Sequence, residues 1–224
     1  MRAHHEHEFE AAPGLPAPLP VGERILWQGA PQWRALCVHV FHLRKLAAYF
    51  AFMLVLQTLY LLGEPGASLF GSLGTSVMLA LTCLGMLALI AWFSARGTLY
   101  TLTTRRLVMR IGIVLTITLN LPLKQIRGAS LLPRKAGQGD IALALAGSDR
   151  IGWLHLWPHA RPWFLRDPQP TLRCIPDVDQ VAALIQSTWQ TVNAGVPAVY
   201  GTASADAAND ASAKPGQSNR PATA

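Results

Sequence analysis

Cysteine is scarce in this chain. Cys37, Cys83 and Cys174 lie far apart and form no CxxC pair, which argues against a disulfide framework and leaves free thiols as the expectation. Catalytic signatures are missing as well: there is no GxSxG, no Walker A loop, no HExxH and no dinucleotide fingerprint after a strand. The reading is therefore of a protein that is not an enzyme, with no catalytic residues, no cofactor and no metal. No cleavable signal peptide is expected, because residues 1–20 are acidic, His-rich and Pro-rich rather than basic and then apolar.

Charge is missing from two long runs. Leu46 to Leu62 and Ser72 to Phe93 are 17 and 22 residues without Asp, Glu, Lys, Arg or His. At about 1.5 Å per residue even the shorter makes roughly 26 Å of helix, enough for the thin end of a bilayer core. Gly63, Pro65 and Gly66 between them break the helix and return the chain. The pair reads as a transmembrane hairpin at 46–93. Arg44 and Lys45 precede it, Arg96, Arg105 and Arg106 follow it, and the connecting loop carries only Glu64. The positive-inside rule then puts both termini in the cytoplasm. Without ionisable groups in the spans, a transport path or an axial pigment ligand there is disfavoured. Ser72, Ser76 and Ala80 form a stripe of small residues at four-residue spacing. Such a stripe permits close packing against the first span of the same chain or against a helix of another protein.

What is present in excess is positive charge. The chain of 224 residues carries a net charge of +7. Between Arg96 and Cys174, twelve Lys or Arg face Asp140, Asp149 and Asp167, a balance of +9. A basic domain beside a cytoplasmic leaflet attracts anionic membrane lipid. Nucleic acid is not expected, since no recognition motif accompanies the charge.

Along the chain, residues 1–20 read as a disordered arm in which His4, His5 and His7 have no fixed geometry for a metal. Residues 21–45 read as a first strand, GERILWQG, followed by a short helical approach over Arg34 to Lys45. His39 and His42, three apart, would share a face of that helix. They are snorkelling interfacial residues or, on a sharper reading, ligands of a pigment or haem. Beyond the hairpin the period becomes two. Thr98–Leu102 and Leu107–Ile111 flank TTRR as a β-hairpin, and Leu115, Ile117, Leu119 and Leu121 alternate with polar residues. Further strands are expected at Gln125–Leu132, Ile141–Ala146 and Ile151–Leu156, with GQGD and GSDR turns. Asp177 is placed to cap a helix over Val178–Val192 with one apolar face. From Asn193 to the end the composition predicts a disordered tail.

The unusual soluble stretch is HLWPHARPW, which crowds Trp157, His159, Arg161 and Trp163 into one Pro-braced loop. Trp and Arg dominate protein interfaces and also suit a headgroup layer. The loop is a candidate partner or headgroup contact, or a structural loop with its rings packed on the sheet. His155 and His159 are four apart, but Pro158 between them opposes a shared helix face.

The segments GLPAPLPVGERILWQGAPQW, FHLRKLAAYFA, YTLTTRRLVMRIGI, TLNLPLKQI, GDIALAL, LHLWPHARPW and QPTLRCIPD, in that order from about Pro13 to Trp189, resemble the PuhB family. Its members are photosynthetic complex assembly proteins of purple bacteria. The resemblance implies an α+β membrane protein: the hairpin (46–62 and 72–93) beside a cytoplasmic PH-like antiparallel domain over 96–192, closed by a C-terminal amphipathic helix. It also implies a non-catalytic assembly factor of the intracytoplasmic photosynthetic membrane. Its partners would be reaction-centre and core antenna subunits and anionic membrane lipid, with homodimerisation left open. The competing readings are a membrane-tethered PH-like lipid-binding module and a pigment carrier.

Overall fold

The computed structural model describes residues 14–15, 18–63, 68–113, 115–146, 152–162, 164–165, 168–194 and 199–202. His4, His5 and His7, the Pro65–Gly66 turn, the GSDR turn, Trp163 and the chain beyond 202 lie outside the described residues.

Among the described residues, eight strands form two four-stranded sheets. The first sheet has the order β1 (Ile25–Gly29), β2 (Leu99–Thr103), β3 (Arg106–Ile111), β4 (Ile117–Pro122), each pair antiparallel. The strand that precedes the apolar helices therefore pairs with the strand that follows them, Gln28 opposite Thr101. The helices are an insertion within one sheet. The second sheet has the order β7 (Thr171–Ile175), β6 (Gly139–Leu145), β5 (Ile126–Pro133), β8 (Val199–Thr202).

Both sheets share one core. Tyr100, Leu102, Leu107, Met109 and Leu121 from the first meet Ile126, Ile141, Leu143, Leu172 and Ile175 from the second. The amphipathic helix α5 (Val178–Val192) closes it with Val178, Val181, Ile185 and Trp189. Burying such side chains contributes about 1.5–3 kcal/mol each. The Trp189 indole N–H also donates to the Ile126 carbonyl at 2.8 Å, which pins α5 at the crossing between the sheets.

A short helix α1 (Trp33–His39) joins β1 to the long helix α2 (Leu43–Gly63), which α3 (Leu69–Gly97) follows. Both long helices are apolar and long enough to cross a membrane. They extend past the uncharged runs, with Arg44 and Lys45 in the first turn of α2 and Arg96 in the last turn of α3. No residue of α2 is buried, and Phe70 is 95% exposed. At the root, Ala35 and Leu36 of α1, Ala95 of α3 and Cys174 of β7 form a second small core. The Gln32 N–H donates to the Cys174 carbonyl at 3.0 Å, so the root of the hairpin sits on the second sheet.

The structure corrects several sequence expectations. The approach to the hairpin is not one helix: α1 stops before His42, which takes a left-handed conformation (φ 52°). His39 and His42 thus share no helix face. Of the expected strand Ile151–Leu156, Ile151 lies outside the described residues and Trp153–Leu156 forms a helical turn, α4. Trp153 and Leu156, three apart, both reach the core, and a three-residue spacing serves a helix as well as alternation serves a strand. The neighbour of β6 is instead β7, whose TLRCI residues are buried on both faces and show no alternation. Leu15, inside the expected disordered arm, is buried. Val199–Thr202, inside the expected disordered tail, pairs in parallel with the edge of β5. Asp177 stands at the start of α5 in a left-handed conformation, and its side chain makes no capping hydrogen bond.

Candidate functional site

The HLWPHARPW segment divides into a buried half and an exposed half. His159 is fully buried, which fits the reading of a loop packed on the sheet and not that of a contact surface for this residue. Its Nδ1 lies 2.7 Å from the Tyr100 hydroxyl and its Nε2 3.0 Å from Thr98 Oγ1. The Arg173 N–H already donates to the Tyr100 hydroxyl, and Thr98 Oγ1 already donates to the Ser94 carbonyl. Donor accounting then assigns Tyr100 as donor to Nδ1 and Nε2–H as donor to Thr98, the neutral imidazole with its proton on Nε2. Burial, helped by the Arg173 charge, lowers the His159 pKa to about 3. Burial likewise pushes the Tyr100 hydroxyl above its ordinary value. The result is one directed hydrogen-bond chain from β7 to the end of α3.

The exposed half is aromatic. Trp157 is 46% exposed and meets Phe41 edge to face, ring centroids 5.7 Å apart. Arg161 stacks its guanidinium 4.2 Å over the Phe164 ring and donates to Gln169 Oε1 at 2.9 Å. Trp163 lies outside the described residues.

Beside this loop sits a charge cluster that sequence reasoning missed. Asp140, at the start of β6, accepts at Oδ2 from Arg134 Nη2 (2.6 Å) and Arg173 Nη1 (3.0 Å), and at Oδ1 from the Cys174 N–H (2.8 Å). Arg173 Nη2 donates to the Ala160 carbonyl at 2.9 Å. Burial alone would raise the Asp140 pKa. The Arg134 hydrogen bond, the Arg173 charge and the Cys174 amide outweigh it and hold the carboxyl below its ordinary value. Two guanidiniums on one carboxylate leave an excess positive charge at a site where Arg173 is only 6% exposed. Burial also pushes the neighbouring Cys174 thiol up to about 12. The available signal was a lone Asp opening the apolar GDIALAL and a lone Arg inside TLRCI, since an ionisable group in a fully buried strand needs a partner.

Arg134, Asp140 and Arg173 line a cavity of about 930 Å³. Its far wall is the turn from α1 into α2, with His39, His42, Arg44 and Lys45. Its side is the Trp157–Arg161 loop with Trp153 and Phe164. The tertiary fold thus returns His39 and His42 to one space although they share no helix face. Burial lowers the His39 pKa, and Arg134 lowers it further. Among the described residues no group of three or more His, Cys, Asp or Glu comes together.

The small-residue stripe faces α2 of the same chain. The Gln57 side-chain amide donates to Ser72 Oγ at 2.9 Å, and Ala80 is buried. Ser76 and Ala80 line a groove of about 410 Å³ between α2 and α3, together with Tyr49, Phe50 and Cys83.

Residues 46–189 match the family described as Bacterial PH domain. A relative from Rhodobacter capsulatus, named "Uncharacterized 23.7 kDa protein in puhA 5'region", is 39% identical over 192 residues, covering 83% of this chain and 88% of its own. No solved structure matches.

Proposed function

This chain belongs to the bacterial PH domain family, and from that premise we propose that it is a membrane-anchored assembly factor of the PuhB type. Its clients are the photosynthetic reaction centre and the core antenna. One observation carries the reading. The Rhodobacter capsulatus relative comes from a purple bacterium, and its name places it beside puhA, a reaction-centre gene.

The membrane half rests on solvation. Helices α2 and α3 present Phe52, Leu59, Leu62, Met78, Leu79, Leu81 and Met86 to the outside, each more than half exposed. An apolar surface of that extent is not stable in water and calls for lipid or partner helices. Arg44, Lys45 and Arg96 lie at the base of the hairpin, and by the positive-inside rule they support a reading in which that base and both termini face the cytoplasm. The soluble domain then presents Trp157, Arg161 and Phe164 to client subunits. Non-catalytic action is part of the proposal, and so is the absence of a bound pigment.

The test is affinity purification of the tagged protein from membranes at the onset of photosynthetic growth, paired with a deletion strain. Sub-stoichiometric recovery of reaction-centre or antenna subunits is expected, with reaction-centre content reduced in the deletion strain. A W157A/W163A double variant should lose those subunits and stay in the membrane fraction. Normal reaction-centre content without the protein, and no subunit recovered with it, would sink the reading.

A further inference from the structure

Three buried N–H donors in this protein have no acceptor among the described residues: Arg134 Nε, Trp153 Nε1 and Arg173 Nε. All three belong to residues that line the cavity between the α1–α2 turn and the second sheet. Native proteins leave few buried donors unmatched, and three at one cavity point to a missing acceptor. The acceptor must be anionic, because Arg134 and Arg173 share the single carboxylate of Asp140. Arg44, Lys45 and Arg161 add positive charge around the same space. A phosphate, with several negatively charged oxygens, accepts from more than one guanidinium at once and meets this requirement.

We propose that this cavity binds the phosphate-bearing headgroup of an anionic membrane phospholipid. Phosphate chemistry alone would also admit a free phosphate ion, but two features favour the lipid. The space, about 930 Å³, is far larger than one ion needs, and Trp153, Trp157, Phe164 and Leu132 give it apolar walls suited to glycerol and the first acyl carbons. Its far wall runs directly into α2, so Arg44 and Lys45 immediately precede Leu46, where the uncharged run of the hairpin begins. This second argument rests on the proposal that α2 and α3 span the membrane, which puts the cavity at headgroup depth. The bound lipid would tie the root of the hairpin to β5, β6 and β7, and so set how the soluble domain stands on the membrane.

The experiment uses the full-length protein, delipidated in neutral detergent, with thermal unfolding followed by tryptophan fluorescence. Phosphatidylglycerol, phosphatidylcholine and inorganic phosphate are titrated separately, and co-purified lipid is identified by mass spectrometry before delipidation. Phosphatidylglycerol is expected to raise the unfolding temperature saturably, and the other two are not. R134Q should weaken the phosphatidylglycerol response about tenfold or more, the loss of a charge-assisted hydrogen bond. Because R134Q also disturbs the Asp140 cluster, R44Q/K45Q on the opposite wall is the second variant, with the same expected direction and an intact cluster. K124Q/R127Q, a basic pair outside the cavity, should respond like the wild type. Equal stabilisation by phosphatidylcholine would overturn the anionic assignment, and equal stabilisation by inorganic phosphate would overturn the lipid assignment. Equal loss in K124Q/R127Q would overturn the cavity in favour of diffuse surface charge. Extraction of the wild type from membranes by alkaline carbonate would instead refute the membrane-spanning reading, which the detergent titration does not depend on.

Discussion

His159 is held neutral from both sides, by the Tyr100 hydroxyl at Nδ1 and by Thr98 at Nε2. That arrangement makes folding sensitive to acid. The folded-state pKa of about 3 lies below the ordinary value of 6.5, so below pH 6.5 the unfolded chain takes up a proton that the folded chain refuses. The stability from this group is complete above pH 6.5 and is lost progressively as the pH falls toward 3. Its slope approaches about 1.4 kcal/mol per pH unit. Glu23 and Asp140, whose pKa values are lowered from 4.5 and 3.8, add their loss only at lower pH. His39 shifts in the same direction as His159. We predict that H159Q is less stable than the wild type at pH 7 and has a flatter dependence between pH 6.5 and 4.5, read from denaturant midpoints in detergent. An unchanged slope would mean the imidazole is not held neutral. The sequence left this histidine open between a contact residue and part of a loop packed on the sheet, because HLWPHARPW is polar and aromatic. Only the approach of β2 and the end of α3 revealed that it is enclosed.

At the scale of elements, the junction between helix and sheet is tighter than the helices themselves. A Cβ on Gly97, the last residue of α3, would clash with the Gly112 carbonyl oxygen just past β3, whereas a Cβ on Gly85 in mid-helix meets nothing within 4 Å. The backbone at Gly112 cannot yield as a side-chain tip can. G97A should therefore destabilise the protein by about 1–3 kcal/mol, the usual cost of overpacking. G85A should be neutral or slightly stabilising by helix propensity. A thermal melt of the two variants checks this, and equal melts would refute a close α3–β3 junction. The elements themselves were largely legible. Lack of charge marked α2 and α3, alternation marked β4, and a 3.6-residue period marked α5. Helix α4 and strand β7 were not: a four-residue turn is too short for a period to emerge, and a strand buried on both faces has none.

At the scale of the molecule, an insertion between paired strands requires the two flanks to hold together without help from the intervening chain. Glu23, ahead of the hairpin, does this with Arg106 behind it. Arg106 Nε donates to Oε1 at 2.8 Å and Nη2 to Oε2 at 3.1 Å, a bidentate pair 83 residues apart in sequence. The Thr103 hydroxyl adds a bond to the same carboxylate at 2.6 Å and accepts from the Arg105 and Arg106 amides, shaping the TTRR turn. Burial opposes the Glu23 charge, but the Arg106 and Thr103 bonds outweigh it and lower the pKa. Arg106 keeps 26% of its side chain exposed, which screens the pair, so a coupling of about 1–2 kcal/mol is expected. A double-mutant cycle of E23Q and R106Q measures it. A coupling near zero would mean that strand pairing alone holds β1 in the sheet.

The sequence alone determined the properties that depend on composition and period: two long uncharged helical runs, a basic domain of alternating strands, and a final helix with one apolar face. These are local, because burial in lipid or against a sheet acts residue by residue along the pattern. The tertiary structure decided whatever required distant segments to meet. It enclosed His159, gathered Arg134 and Arg173 around the Asp140 carboxylate, and set that cluster in one cavity with Arg44 and Lys45. A charge carries no mark of its partner in the linear chain. Its meaning follows from which opposite charge, and which low-dielectric wall, the fold brings within a few ångströms.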